Sequence, residues 1–212
     1  MSGSNTRNGC CGHAEDGGSS PAPQAHRPTQ QTKASMTNFS PKPTYPAWYA
    51  RASAPFRGNA RTPRILNALD KGLVGIIAAA YIGTLAWLAF LAATTSDTRI
   101  WKALLVPAVS FVLVSVFRKA INAPRPYEVF DIDPLIKKNT HGKSFPSRHL
   151  FSAAIIAFAL WWVNPVFGPI ALIACVVVGF CRIVGGVHFP RDIAGAFIFA
   201  IVFALTGFIL IP

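Results

Sequence analysis

The sequence predicts an all-α protein: a polytopic membrane bundle of about five transmembrane helices behind a disordered N-terminal tail. Three observations lead there. Of the 212 residues 52% are hydrophobic and only 13% charged, a balance rare among soluble domains. The apolar residues are gathered into runs, since Gly72 to Ala93 and Ile193 to Pro212 contain no charged side chain and are each long enough to cross roughly 30 Å of hydrocarbon as a helix. Such runs far exceed a strand, and no alternating pattern bounded by turns recurs.

In chain order, residues 1–65 are dominated by Gly, Ser, Pro, Gln and Asn with isolated charges, so this stretch reads as a disordered tail ahead of a membrane domain over 66–212. No apolar segment of the signal-peptide kind follows the N-terminus, and Met36 is an alternative start after a low-complexity leader. Gly72 to Ala93 is the first span. Three shorter runs follow: Ala103 to Phe117, a segment from near Pro146 to Val163, and Val166 to Cys181. Lengths of about 14 to 16 residues suit buried core helices as well as spans. Ile100, Trp101 and Lys102 can extend the first of these by snorkelling and interfacial anchoring, and Trp161 and Trp162 the second, which favours spans. Ile193 to Pro212 is the last. The expected count is five, with four as the alternative. Pro107 and Pro169 fall inside spans, where neighbouring helices can satisfy the freed carbonyls, so kinks are expected rather than breaks.

The net charge of +12 raises nucleic acid as a partner, and its distribution argues against one. Residues 1–71 carry nine Lys or Arg and three acids, and residues 118–148 carry seven and three. The excess therefore sits at membrane edges, where anionic headgroups and positive-inside topology account for it. Arg51, Arg57, Arg61, Arg64 and Lys71 before the first span, against Arg99 and Lys102 after it, place the N-terminus in the cytoplasm, with a cell membrane as the expected location. A re-entrant segment or extra span in Tyr45 to Pro63 would reverse this orientation. Cys10, Cys11, Cys175 and Cys181 form no CxxC pair, so no disulfide framework is expected, and Cys10-Cys11-Gly12-His13 is at most an isolated metal or acylation motif in the tail.

Three short polar segments interrupt the apolar sequence: Arg118 to Pro126, Pro146 to His149, and Arg182 to Asp192. With five spans all three fall on one side of the bilayer. Ionisable groups at span ends are costly enough to suggest a site. Arg125, Arg182 and one of Arg118 or Lys119 supply the cations that the oxygens of a phosphate need. Ser147 would donate at the start of the third span, where unpaired backbone N–H groups and the helix dipole already favour an anion. His188 and Asp192 are four apart with Pro190 between them, a spacing that fits a turn entering a helix. A carboxylate there would hold one imidazole nitrogen, leaving the other to attack phosphorus, and His149 would protonate the departing oxygen.

These segments resemble, in order, the three signatures of the type 2 phosphatidic acid phosphatase superfamily. They are Lys, six residues, Arg-Pro; Pro-Ser-Gly-His; and Ser-Arg, five residues, His, three residues, Asp. The resemblance runs from Arg118 to Asp192 and, counting helices, covers about the C-terminal two thirds of the chain. It implies an integral membrane, metal-independent and cofactor-free phosphatase acting on a lipid phosphate or diphosphate through a phosphohistidine on His188. It further implies phosphate ligands at Arg118, Arg125 and Arg182, an oxyanion donor at Ser147, a general acid at His149 and an orienting carboxylate at Asp192. Three positions depart from the pattern: Arg118 stands for Lys, with Lys119 able to serve instead; Cys181 stands for Ser; and Arg148 stands for Gly. The last adds a large cation and suggests selection of a diphosphate or acidic headgroup. Phosphatidate, phosphatidylglycerophosphate and polyprenyl diphosphates are the substrate classes implied. The alternatives are a phosphotransferase with the same intermediate, and a non-catalytic membrane protein that binds anionic lipid. The polar loop Glu128 to Gly142 reads equally as a headgroup-recognising loop or a solvated connector.

Overall fold

The computed structural model describes residues 46–211. Among them every regular element is helical: α1 (Ala47–Arg57), α2 (Thr62–Thr95), α3 (Arg99–Ile121), the single turn α4 (Pro126–Val129), α5 (Arg148–Val163), α6 (Phe167–Val184) and α7 (Pro190–Ala204), which continues as a π-helical segment, Leu205–Leu210. The all-helical expectation therefore holds. Four helical stretches, residues 62–95, 99–129, 167–184 and 190–210, are long and apolar enough to cross a membrane, and α5, with 16 residues, is a shorter apolar helix. The protein is an integral membrane protein.

Packing explains why α5 can be short. It lies against α2, α3, α6 and α7, and Leu150, Phe151, Ala154, Ile155, Ala157 and Leu160 are all buried. Its four alanines let those neighbours approach closely, as small residues do between membrane helices. Side chains on the outer helices face away from this core, among them Ile76, Phe90, Val112, Ile173, Ile198 and Ile209. That apolar surface suits lipid.

Pro107 lies within α3, which runs on through it. Proline removes the N–H that would bond the carbonyl four residues back, and the Ala103 carbonyl instead accepts the Tyr81 hydroxyl of α2 at 2.7 Å. The expected repair by a neighbouring helix is thus in place. Pro169 sits in the first turn of α6 rather than inside it, where its missing N–H has no intrahelical partner to lose.

Of the stretch expected as a tail, residues 1–45, including Cys10, Cys11, His13 and Met36, lie outside the described residues. Residues 46–65 depart from that expectation, since α1 occupies Ala47–Arg57 and α2 begins at Thr62. Tyr49, Ser53 and Phe56 recur at i, i+4 and i+7 and give α1 one inward face. Tyr49 and Ser53 are buried, and Phe56 packs on a cluster of Leu66, Ile136, Val184 and Val187. Eleven residues rise about 16 Å, too little to cross a bilayer. The helix lies over the turn between α6 and α7: the Tyr49 hydroxyl donates to the Val184 carbonyl at 3.3 Å, and a Cβ on Gly186 (φ +72°) would come within 2.5 Å of the Tyr49 oxygen.

Candidate active site

At the end of the bundle formed by the start of α2, the end of α3 and the starts of α5 and α7, the three polar segments meet. α7 begins at Pro190, which needs no N–H partner in a first turn. Its third residue, Asp192, turns back to accept the Phe189 N–H at 3.0 Å, and the helix start places His188 beside it. The same oxygen, Asp192 Oδ2, lies 3.3 Å from His188 Nδ1 and accepts a hydrogen bond from the Ser144 hydroxyl. Three donors thus converge on one carboxylate oxygen when Nδ1 carries the proton, and His188 Nε2 is left free. Burial, only partly offset by Asp192 and reinforced by the charges of Arg125 and Arg182, pushes the His188 imidazolium down to about 4. The ring is neutral at physiological pH.

Three arginines from separate elements surround this pair. Arg125, just before α4, donates from Nε to the Gly142 carbonyl at 3.1 Å and lies at 3.4 Å from the Val187 carbonyl through Nη1. Arg118, near the end of α3, donates to the Pro146 carbonyl at 2.8 Å. Arg182, near the end of α6, is buried and forks onto Asp70 of α2, with Nε to Oδ1 at 2.9 Å and Nη2 to Oδ2 at 2.7 Å. Ser147 caps the start of α5 by position. Its N–H donates to the Asp192 carbonyl at 3.1 Å, and its buried hydroxyl has no partner among the described residues. That hydroxyl and the first N–H groups of α5 therefore have hydrogen bonds left to donate.

His149, one residue into α5, points its buried Nε2 toward Asp70 Oδ2 at 3.7 Å. Arg148 is exposed, with its guanidinium carbon 5.6 Å from the centroid of the Phe111 ring. Of the paired candidates Arg118 and Lys119, only Arg118 enters the cluster. Lys119 faces outward and makes no hydrogen bond or ion pair given by the described residues.

The polar loop is more than a loose connector. Glu128 takes the Arg125 N–H at 2.6 Å and the Gly142 N–H at 2.9 Å, so the two ends of the loop are tied beside Arg125. Ile136 is buried and donates its N–H to the Gly185 carbonyl at 3.1 Å. Lys138 follows two residues later; burial, then the charges of Arg182 and Arg125, lower its proton affinity.

Two residues of the cluster escaped the sequence reading. Ser144 offered no signal, being one small polar residue in a polar loop. Asp70 did offer one: it is the only acid in α2, at the membrane edge that faces the three motifs. Among the described residues no group of three or more His, Cys, Asp or Glu side chains could hold a metal.

Fold and site together define an integral membrane protein with a cluster of arginines, two histidines and two buried acids at one end of a helical bundle. The chain belongs to the PAP2 superfamily, whose family model matches residues 99–212. It is 33% identical over 85 residues to the undecaprenyl-diphosphatase BcrC of Bacillus subtilis (strain 168), a match covering 40% of this chain and 44% of that one. The chain thus spans less than half the length of this curated relative. Among solved structures, LpxE of Aquifex aeolicus superposes with a TM-score of 0.57 at 21% identity, over 76% of this chain and 92% of that one, a likeness of fold. A phosphatidylglycerolphosphate phosphatase of the PAP2 type from Bacillus subtilis aligns with a TM-score of 0.49 at 23% identity, over 74% and 89% of the two chains.

Proposed function

We propose that the protein is a membrane phosphatase that hydrolyses a lipid phosphate monoester or diphosphate through a phosphohistidine on His188. The observation that carries this reading is a buried, neutral His188 held through Nδ1 by Asp192 at 3.3 Å, within a cluster to which α3, the segment before α4, and α6 each contribute an arginine.

The substrate's phosphoryl group would take its oxygens to Arg118, Arg125 and Arg182, with the Ser147 hydroxyl and the first N–H groups of α5 as further donors. His188 Nε2 attacks phosphorus as the bond to the leaving oxygen breaks, and His149 gives that oxygen its proton. Asp192 accepts the Nδ1 proton's hydrogen bond throughout and stabilises the positive ring as it forms. Water then attacks the phosphohistidine, and inorganic phosphate leaves. The substrate's apolar portion would stay among the outer helices.

A diphosphate headgroup is favoured by two observations. Arg148 adds a cation beside the cluster, and the relative BcrC is named an undecaprenyl-diphosphatase. The test is phosphate release by the detergent-purified protein, with EDTA present, from phosphatidate, phosphatidylglycerophosphate and a polyprenyl diphosphate, with His188→Ala alongside. Release that survives chelation and drops by about a thousandfold or more in the variant is expected. Label transferred to an added alcohol instead of water would identify a phosphotransferase. Headgroup binding without turnover in either protein would identify a lipid-binding protein.

A further inference from the structure

Asp70 is the buried acid that the reaction above leaves unassigned. It belongs to none of the three motifs and reaches the site from α2, 112 residues from Arg182 in sequence. A carboxylate among so many cations would serve as a simple counter-ion, but its geometry is more specific. Arg182 grips both of its oxygens, at 2.9 and 2.7 Å, which fixes the plane of the carboxylate. The oxygen that takes Arg182 Nη2 is the one facing His149 Nε2 at 3.7 Å. That nitrogen is buried and has no hydrogen-bond partner among the described residues, while the His149 side chain is about a third exposed through its other atoms. Lys138, from the loop above, lies near the same group. The site therefore contains two His–Asp pairs, each presenting one nitrogen to a carboxylate. His188 presents Nδ1 to Asp192, and His149 presents Nε2 to Asp70.

We propose that Asp70 is a positioning residue for His149: locked in place by Arg182, its carboxylate orients the imidazole so that the rest of the ring, with its proton, faces the leaving oxygen. This rests on the phosphohistidine reading, in which His149 acts as the acid. Asp70 touches no reacting atom in this scheme and acts through its neighbour. The arrangement also couples the two jobs of the pocket, because the arginine that would bind phosphate is the one that holds the acid's partner still.

The test is a double-mutant cycle of Asp70→Asn and His149→Gln, read on a lipid phosphate and on p-nitrophenyl phosphate, with His188→Ala as control. An alkyl alcohol leaves poorly without a proton, whereas p-nitrophenolate leaves without one. General acids typically contribute 10²–10⁴-fold, so Asp70→Asn is expected to lower turnover of the lipid about a hundredfold. The loss on the aryl ester should be at least tenfold smaller, and the lipid-specific part should vanish in the His149→Gln background. Losses that are equal on both substrates, or that add fully to His149→Gln, would overturn the proposal and leave Asp70 a structural counter-ion. Unimpaired turnover with tighter inhibition by inorganic phosphate would overturn it too, since the carboxylate would then be occupying the anion's own place. If Asp70→Asn does not fold, Asp70→Glu keeps the charge but displaces it, and an unchanged lipid-to-aryl ratio in that variant counts against the proposal. A wild-type protein inactive on both substrates and on a polyprenyl diphosphate would instead remove the phosphohistidine reading, and this proposal with it.

Discussion

His188 is only 2% exposed, and its burial has a consequence that a titration can read. A nucleophilic imidazole must be neutral, and this one is pushed from about 6.5 to about 4. The phosphorylation step is therefore expected to lose no rate on account of His188 as pH falls from 7 to about 5, and to fail as the ring protonates near 4. Rapid-quench trapping of the phosphoenzyme across that range checks it; an acid limb at 6.5 would contradict the burial. The same depression bears on stability. Between pH 6.5 and about 4 the unfolded chain binds a proton that the folded chain refuses, so stability contributed by this group declines as pH falls through that window. Arg148 gives a second prediction at this scale. If its guanidinium meets a distal phosphoryl group, Arg148→Gly should weaken kcat/KM on a diphosphate by about tenfold or more, as expected for a lost charged hydrogen bond, and leave a monophosphate nearly unchanged. Competition between the two substrates measures the ratio directly. The polar residues were the most readable part of the site because cations and histidines stand out against apolar spans. Asp70 was missed because an acid next to Lys71 at a span's edge looks like an interfacial pair, and only the tertiary fold shows it turned inward against Arg182.

Among the elements, α2 and α3 are joined by a contact that exists because of Pro107. The Ala103 carbonyl loses its intrahelical donor and gains the Tyr81 hydroxyl. Tyr81→Phe should leave that carbonyl unpaired and cost about 1 kcal/mol, within the range for such bonds in membrane proteins. A lowered midpoint of thermal unfolding in detergent, without loss of helix content, is the expected result. Restoring the N–H with Pro107→Ala should make the Tyr81→Phe change nearly silent. The spans were legible from composition because each must satisfy its own backbone in lipid and so must be a long apolar helix. Helix α1 was not, because Tyr49, Ser53 and Phe56 are its inward residues in a segment otherwise rich in polar and proline positions, and its stability comes from the α6–α7 turn beneath it rather than from its own propensity.

For the whole molecule, five crossings would gather the three motifs on one side of the bilayer, and in the structure those motifs share one end of the bundle. Arg118, Arg125, Ser147, Arg182 and His188 lie at one end of the bundle, whereas Arg99, Asn164 and Phe167 line a cavity at the other. Single cysteines at Lys137 and at Asn164, in a chain with its native cysteines replaced, should therefore react with an impermeant thiol reagent from opposite sides of sealed vesicles. Labelling of both from the same side would break the five-crossing topology. The orientation itself was less legible, because charge bias decides it and two of the basic residues of the N-terminal flank, Arg51 and Arg57, belong to α1, which is no span and does not fix their depth. Helix α1 gives that flank a further meaning. It carries no motif residue, yet Tyr49 rests on the turn that leads into His188, and Arg57 donates to the Asp133 carbonyl in the loop above the pocket at 2.8 Å. The N-terminal helix is thus tied both to the turn that carries His188 and to the loop before Ser144, so a displacement of α1 would be passed on to both.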